Sequence, residues 1–371
     1  MTDQAVDTAE LKKFPLHPEH ERLGARFGAF GEWYVPLYYS SVLEEHEAVR
    51  QRVGVFDISH MGEVYLEGPD ALRVLNRLVT NDLSKLYPGR ALYSPVCREN
   101  GGIVDDVIVY EVSPSQFLIV VNAANIAKDV QWFESHLEGK VKLRDSSAET
   151  ALFAVQGPKS KAVVGSLFDV DLEKLSYYHF MKFDSPFGEV LLAKTGYTGE
   201  EGFEVFCAVD RARGLWKRLF EVGRADDLKP IGFGARDTLR LEARLLLYGH
   251  DMTDETSPLE AGLGWTIGWS KDDFIGKKSL ERQRQQGVSR KLIGFELAGR
   301  GIAREGCSVQ AAGVSVGTVT SGTFSPTFKK SIGLAYVSNE YSALGQELDI
   351  EIRGKLTQAR VVKTPFYKRP E

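Results

Sequence analysis

From about residue 285 to its end the chain offers no convincing helical pattern. Its apolar residues fall instead into short β-type runs, GVSVGTVTSG, SIGLAYVS, QELDIEIRG and LTQARVVKTPFY, separated by Gly, Ser and Pro. Branched and aromatic side chains suit a pleated surface, and strands this short must close on one another to bury an apolar face, so the spacing predicts a small barrel or sandwich. The polar, helix-prone stretch FIGKKSLERQRQQGVSR leads into it.

Ahead of that stretch, strand and helix periods alternate. Residues 40 to 53, SSVLEEHEAVRQRV, open with a Ser able to accept a helix N-terminal N–H, followed by early acids and a basic end, the order a helix dipole favours. VGVFDISHMGEVYLEG alternates like two strands around a turn, and PDALRVLNRLVTNDLSKL carries apolar residues at helical spacing. ALYSPVCRENGGIVDDVIVYEV predicts a hairpin whose Asn100, Gly101 and Gly102 supply the positive φ angles of a tight turn. A strand, FLIVVNAAN, and a helix, IAKDVQWFESHL, follow, and the mixture recurs to about residue 270. The fold class is α+β, with two similar units ahead of the β-rich end.

Composition bounds what such a chain does. At 371 residues it exceeds a single core, and 43% hydrophobic with 26% charged residues is the balance of an ordinary globular protein. A net charge of −5 argues against a broad grip on nucleic acid or anionic membrane. Cys97, Cys207 and Cys307 are scattered, without CxxC or Cys/His pairing, which argues against a disulfide framework or a zinc site and for a reducing compartment. The opening MTDQAVDTAELKKF resembles neither a signal nor a transit peptide, and no apolar run reaches membrane-spanning length, so the expected location is the cytoplasm.

Four constellations are candidates for chemistry. In GGIVDDVIVYEV, strand alternation puts Val104, Asp106, Ile108 and Tyr110 on one face and Asp105, Val107 and Val109 on the other. One carboxylate then faces a cavity, where it binds a cation or accepts a proton; the plainer reading is that both acids solvate the turn. In KTGYTGEEGFEVF, Gly196, Gly199 and Gly202 do not form GxGxxG, and Glu200 and Glu201 repel an anion, so a nucleotide is disfavoured. Glu204, opposite Phe203 and Val205, is either an exposed strand glutamate or an acceptor for a guanidinium-like heterocycle edge.

In GFGARDTLRLEARLLLYG a helix is predicted to open near Ala235. The plain reading of Arg236, Asp237, Arg240, Glu242 and Arg244 is a solvated, salt-bridged face, although a cation in the first turn points to an anionic partner for Arg236. Trp265 reads as core or as a stacking platform, and His60 as a base or, more simply, as a structural histidine.

Taken in order, PLYYSSVLEEHEAVRQRVGVFDISHMGE, TND, NGGIVDDVIVY, VVNAAN, QGPKS, GYTGEEGFEV, GARDTLRLEA, LYGHDM, SPLEAGLGW, GKKSL, TVTSGTFSPT and VVKTPFYKR resemble the glycine cleavage system T-protein (aminomethyltransferase) family over essentially the whole chain. The resemblance implies a three-domain cloverleaf around a central folate cavity. Its domains would be residues 1–50 with 145–250, residues 51–144 with parts of 251–284, and a barrel at 285–371. It implies transfer of an aminomethyl group from the lipoyl arm of H-protein to tetrahydrofolate, giving 5,10-methylenetetrahydrofolate, ammonia and dihydrolipoyl H-protein. No metal and no flavin is implied, and P-protein and L-protein are linked functionally.

By motif, Asp106 resembles the family's catalytic aspartate, Glu204 the acid that grips the pterin, and Arg236 the arginine lining the same cavity. Tyr93, Asn122, Tyr197 and Trp265 match positions around the folate, and Arg304 one that helps hold the domains together. Asp105 is expected to be a turn-side carboxylate without a role in transfer. Leu245 stands where some relatives have tyrosine in the helix after GARD. Two alternatives share the fold. A folate-dependent demethylase of another methylated small molecule is one. The other is a folate-binding iron-sulfur assembly factor, whose K-G-C-Y-x-G-Q-E stretch is replaced here by KDDFIGKK, without cysteine.

Overall fold

Period-two alternation decides how the first two bodies pack. In the computed structural model, which describes residues 10–370, one sheet has six strands in the order Phe180–Ser185, Gly188–Ala193, Gly202–Ala208, Thr150–Gln156, Gly54–Asp57, Lys229–Pro230. A second has five, in the order Ala91–Cys97, Ile103–Ser113, Gln116–Val121, Gly62–Glu67, Lys142–Asp145. Residues 1–9 of the opening segment, expected to be neither a signal nor a transit peptide, lie outside the described residues.

Odd-numbered residues of the strand Gly202–Ala208, namely Phe203, Val205 and Cys207, pack with Phe153 and Val155 against helices Ser160–Phe168 and Ala212–Val222. Val107 and Val109 pack with Val64 and Leu66 against helices Ala71–Leu78 and Ile126–Ser135. The opposite faces meet each other, with Leu152, Ala154 and Phe206 of one sheet in a common core with Tyr110, Leu118 and Val120 of the other. Each Val, Leu or Phe so buried stabilises the fold by ~2 kcal/mol before its ordering entropy is counted. The result is a seam between two sheets, each backed by helices.

Several expectations hold locally. Ser41 caps the helix Val42–Gln51, its Oγ accepting from the Glu44 N–H at 3.2 Å. The Asp-bearing strand pairs antiparallel with Ala91–Cys97 as a hairpin. At its turn only Gly101 takes positive φ, at 89°. Gly102 is required for a different reason, since a Cβ there would lie 1.9 Å from the Asp254 carbonyl oxygen. The β-rich end is a closed barrel of Arg290–Leu297, Ser308–Ala311, Val314–Ser325, Lys330–Ser338, Glu347–Ile352 and Lys355–Val362, and the stretch before it forms the helix Lys277–Gln286.

Other expectations change. VGVFDISHMGEVYLEG is not one hairpin: Gly54–Asp57 pairs with Thr150–Gln156, while Gly62–Glu67 pairs with Gln116–Val121. The chain therefore crosses between the sheets at residues 58–61, later than the boundary expected at residue 50, because Val55 must reach the core shared with Val155. A small sheet of Lys12–Lys13, Trp33–Tyr38 and Arg26–Phe30, absent from the sequence reading, sets Phe14 and Val35 against Phe233.

The charge run after GFGA is not a solvated face. The helix spans Phe233–Glu242, and Arg240 and Glu242 are buried. Arg240 donates to Asp251 at 2.6 Å and to Ser321 at 2.8 Å, while Glu242 accepts from Arg50 at 2.9 Å, Ser325 at 2.5 Å and Thr327 at 2.8 Å. These bonds tie the sheets to the barrel. Among the described residues no helix is long and apolar enough to cross a membrane.

Candidate functional site

The same alternation that fills the seam carries polar residues into it. Asp106 lies on the face of its strand that presents Ile108 and Tyr110 to the facing sheet, and Glu204 on the face that presents Phe206. The helix Phe233–Glu242, with Ala235 and Leu239 in the same core, brings Arg236 to that seam.

Asp106 is held on both oxygens. Tyr93 Oη donates to Oδ2 at 2.9 Å and Asn122 Nδ2 donates to Oδ1 at 2.8 Å. Among the described residues it has no ion-pair partner. Burial, with the neighbouring charge of Asp105 behind it, outweighs those two bonds and pushes the carboxyl up to about 7. Such a group exchanges a proton near neutrality, as a general base requires.

Glu204 is partly buried and accepts from Thr195 Oγ1 at 2.5 Å; burial raises its carboxyl above the usual range. Arg236 lies 4.5 Å over the Tyr197 ring, and among the described residues its guanidinium has neither an acceptor nor an ion pair. Tyr197 donates to the Leu246 carbonyl at 2.6 Å. Burial, more than the charges of Arg236 and Asp106, governs the Tyr197 hydroxyl, and it raises the Tyr178 hydroxyl likewise. Trp265 is 70% exposed, parallel to Tyr93 with ring centroids 6.1 Å apart. It is therefore not a core residue and stands at the site's edge beside Tyr93.

The structure thus brings Tyr93, Asp106, Asn122, Tyr197, Glu204, Arg236 and Trp265 to one region. Arg304 is elsewhere: it is exposed, and its donation, to the Gly322 carbonyl at 3.3 Å, stays within the barrel. The ties between bodies are made by Arg240, Glu242 and Asp251 instead, because their partners on the barrel are the buried hydroxyls of Thr320, Ser321 and Ser325. A concavity of about 1160 Å³ also opens on the barrel beside Arg304 and Arg360, but no seam residue borders it. His60 is enclosed by Phe14, Trp33 and Phe233 and is held well below its usual range by burial, the mark of a neutral structural ring. Leu245 lies beyond the helix end at Glu242, and its carbonyl faces Tyr197 Oη at 3.4 Å.

Asp105 corrects an expectation. It is 0% exposed rather than turn-side, because its face of the strand is covered by the helix Ile126–Ser135. Its carboxylate accepts from the Asn122 N–H at 3.0 Å, Asn122 Nδ2 at 2.8 Å and Asn125 Nδ2 at 2.7 Å. Asp129, which sequence reasoning missed, stands behind it. The signal was present, since Asn122, Asn125 and Asp129 fall at helical spacing on the face that also carries Phe133.

Known proteins resemble this chain over nearly its whole length. A family profile described as "GCVT N-terminal domain" matches residues 16–271, and one described as "Glycine cleavage T-protein C-terminal barrel domain" matches residues 290–368. An aminomethyltransferase of Bacillus velezensis is 47% identical over 97% of this chain and 99% of its own. That of Bacillus subtilis is 46% identical over 97% and 100%. The crystal structure of the glycine cleavage system aminomethyltransferase T from Bartonella henselae superposes with a TM-score of 0.91 at 34% identity, covering 96% of this chain and 98% of that one.

Proposed function

The chain belongs to the glycine cleavage T-protein family and is an aminomethyltransferase of the glycine cleavage system, and from that premise we propose that the seam between its two sheets holds the folate acceptor, with Asp106 as the proton-accepting group. The observation that carries the reading is a seam carboxylate, fixed by Tyr93 and Asn122 and lacking a cation among the described residues, whose proton exchanges near pH 7.

The other side chains fit a folate. Glu204 has one oxygen on Thr195 and another available to the N–H edge of a pterin, and Arg236 has N–H groups facing the same region without an internal acceptor. Tyr197 supports the guanidinium from beneath, and Trp265 offers an aromatic face at the entrance. Tetrahydrofolate supplies the two nitrogens that receive the carbon, their two N–H protons ending on the released thiolate and ammonia. Asp106 is positioned to accept the first of those protons and, as a carboxylate, to stabilise positive charge developing on the carbon in transit. Tyr93 and Asn122 hold its two oxygens so that its orientation does not have to be found during the reaction.

The donor in this reading is the lipoylated, aminomethylated H-protein, with P-protein and L-protein acting before and after it. The three cysteines are unpaired, which supports a reducing compartment, and the reading places the activity in the cytoplasm. The test is formation of 5,10-methylenetetrahydrofolate by the purified protein. Product is expected with aminomethylated H-protein, and much poorer turnover with free aminomethyl-lipoamide, since docking supplies orientation. Equal kcat/KM for the two donors would remove H-protein docking from the reading, and no product from either would remove the transfer.

A further inference from the structure

Behind Asp106, on the helix side of its strand, lie two more carboxyls. Asp105 is fully buried and takes three N–H donors from Asn122 and Asn125. Asp129 is 1% exposed, its carboxyl faces Asp105 within hydrogen-bonding reach, and neither of its oxygens meets a donor among the described residues. The cation beside it in sequence, Lys128, is occupied elsewhere, donating to the Val104 carbonyl at 2.5 Å and to Tyr248 Oη at 2.9 Å. Two buried carboxylates in contact without a cation between them cannot both be ionised. A proton must therefore reside between them, donated by one acid to the other.

The donor pattern says which. Asp105 is surrounded by N–H groups that favour the anion, whereas Asp129 has none, so the proton belongs on Asp129 and the negative charge on Asp105. Burial, and after it the charge of Asp105, raise the Asp129 carboxyl far above the usual range. The Asn122 side-chain amide then touches both aspartates, donating to Asp105 Oδ1 and to Asp106 Oδ1 at 2.8 Å each. We propose that Asp105 and Asp129 share one proton, and that the resulting fixed charge, delivered beside Asp106 and braced through Asn122, sets how readily Asp106 takes a proton, making both acids positioning residues for aminomethyl transfer. This inference rests on the reading of Asp106 as the proton acceptor.

The groups that face the cluster are few. Tyr93, Tyr178 and Tyr197 surround Asp106, while Lys128 and Tyr248 adjoin Asp105 and Asp129. Burial raises all four tyrosine hydroxyls above their usual range, so the acid limb of the rate profile reports Asp106 as the pair biases it. Removing the charge of Asp105 removes a repulsion that disfavours the Asp106 anion, so its proton is lost at lower pH. A weaker base follows, and with it a lower plateau.

The experiment is the pH profile of single-turnover, H-protein-dependent transfer by wild type, Asp106→Asn, Asp105→Asn, Asp129→Asn and Asp129→Leu. Asp105→Asn is expected to move the acid limb down by about one pH unit and lower the plateau several-fold, with little change in the KM for folate. Asp129→Leu, which leaves the Asp105 charge on its three N–H donors but takes away the acid that disperses it, is expected to move the limb the opposite way, upward, and Asp129→Asn, which keeps an N–H to donate, to leave it where it is in the wild type. An unmoved limb in folded Asp105→Asn overturns the inference while leaving the reading of Asp106 intact; full activity in Asp106→Asn overturns that reading itself. A second measurement does not depend on the Leu variant folding. Infrared difference spectra of the wild type above neutral pH are expected to show the carbonyl stretch of a protonated carboxylic acid, lost in Asp129→Asn, and its absence from the wild type also overturns the pairing.

Discussion

Two buried acids in this chain have opposite fates. Glu242, at the junction of sheets and barrel, is surrounded by a guanidinium, an imidazole and two hydroxyls: Arg50, His46, Ser325 and Thr327. Burial there works against ionisation, but the bonds and charges of His46, Ser325 and Arg50 outweigh it and bring the carboxyl down to about 2. Asp106, in the seam, has a tyrosine, an amide and a second acid for neighbours, and its carboxyl rises to about 7. The difference lies in the company rather than in the depth. Where the chain needs a joint it supplies a cation to a buried acid, and where it needs chemistry it withholds one.

Removing each charge tests that contrast most severely. Glu242→Gln takes from Arg50 one of its two carboxylates, leaving Glu200 at 3.0 Å, and takes from Ser325 and Thr327 their charged acceptor; it is expected to cost about 3 kcal/mol, read by denaturant unfolding, and a loss below about 1 kcal/mol would mean that the junction does not depend on the ion pair. The pH dependence has a definite sign. Because the folded value lies below the ordinary 4.5, the stabilisation from Glu242 is complete above that pH and lost as pH falls toward about 2.

Asp106→Asn is expected to lower kcat by roughly 100-fold, about 2.7 kcal/mol of transition-state stabilisation, with folate affinity far less affected. Its effect on stability should be opposite in sign to that of Glu242→Gln. A carboxyl whose folded value lies above its unfolded one costs stability progressively as pH rises from about 4 through about 7, so the Asn variant is expected to melt higher than wild type at pH 8 and equally at pH 4. A lower melting temperature at pH 8 would show that Asp106 is a structural acid after all. The smallest effect concerns Glu204, which has one hydroxyl donor and no cation within bonding distance among the described residues. Glu204→Ala is expected to weaken tetrahydrofolate binding by about 1 to 3 kcal/mol in calorimetry, and unchanged affinity would remove the pterin contact.

Alternation was enough to separate Asp105 from Asp106 and to turn Glu204 away from Phe203, since side-chain direction along a strand is a local property. What covers each face is not local. Asp105 looked like a turn carboxylate because nothing within its strand reveals that the helix Ile126–Ser135 will lie over it. Arg240 and Glu242 looked like a solvated face because their spacing is that of surface ion pairs, while their partners Asp251, Ser321, Ser325 and Arg50 belong to other segments of the chain. Trp265 stands out in water where its residue type favours the interior, and only the fold shows Tyr93 beside it. The closed barrel was the most legible part, because its strands follow one another with short turns and find their partners within the same hundred residues or fewer.

The crossing at residues 58–61 also governs the order in which this molecule comes into being. On the ribosome, Gly54–Asp57 emerges early yet has no antiparallel neighbour until Thr150–Gln156 has been made, and that strand in turn waits for Gly202–Ala208. The whole five-stranded sheet, Asp106 included, is synthesised in the interval. A nascent chain released before residue 208 would therefore expose an unpaired edge and one bare side of the future seam, a target for chaperones and for mispairing with its neighbours.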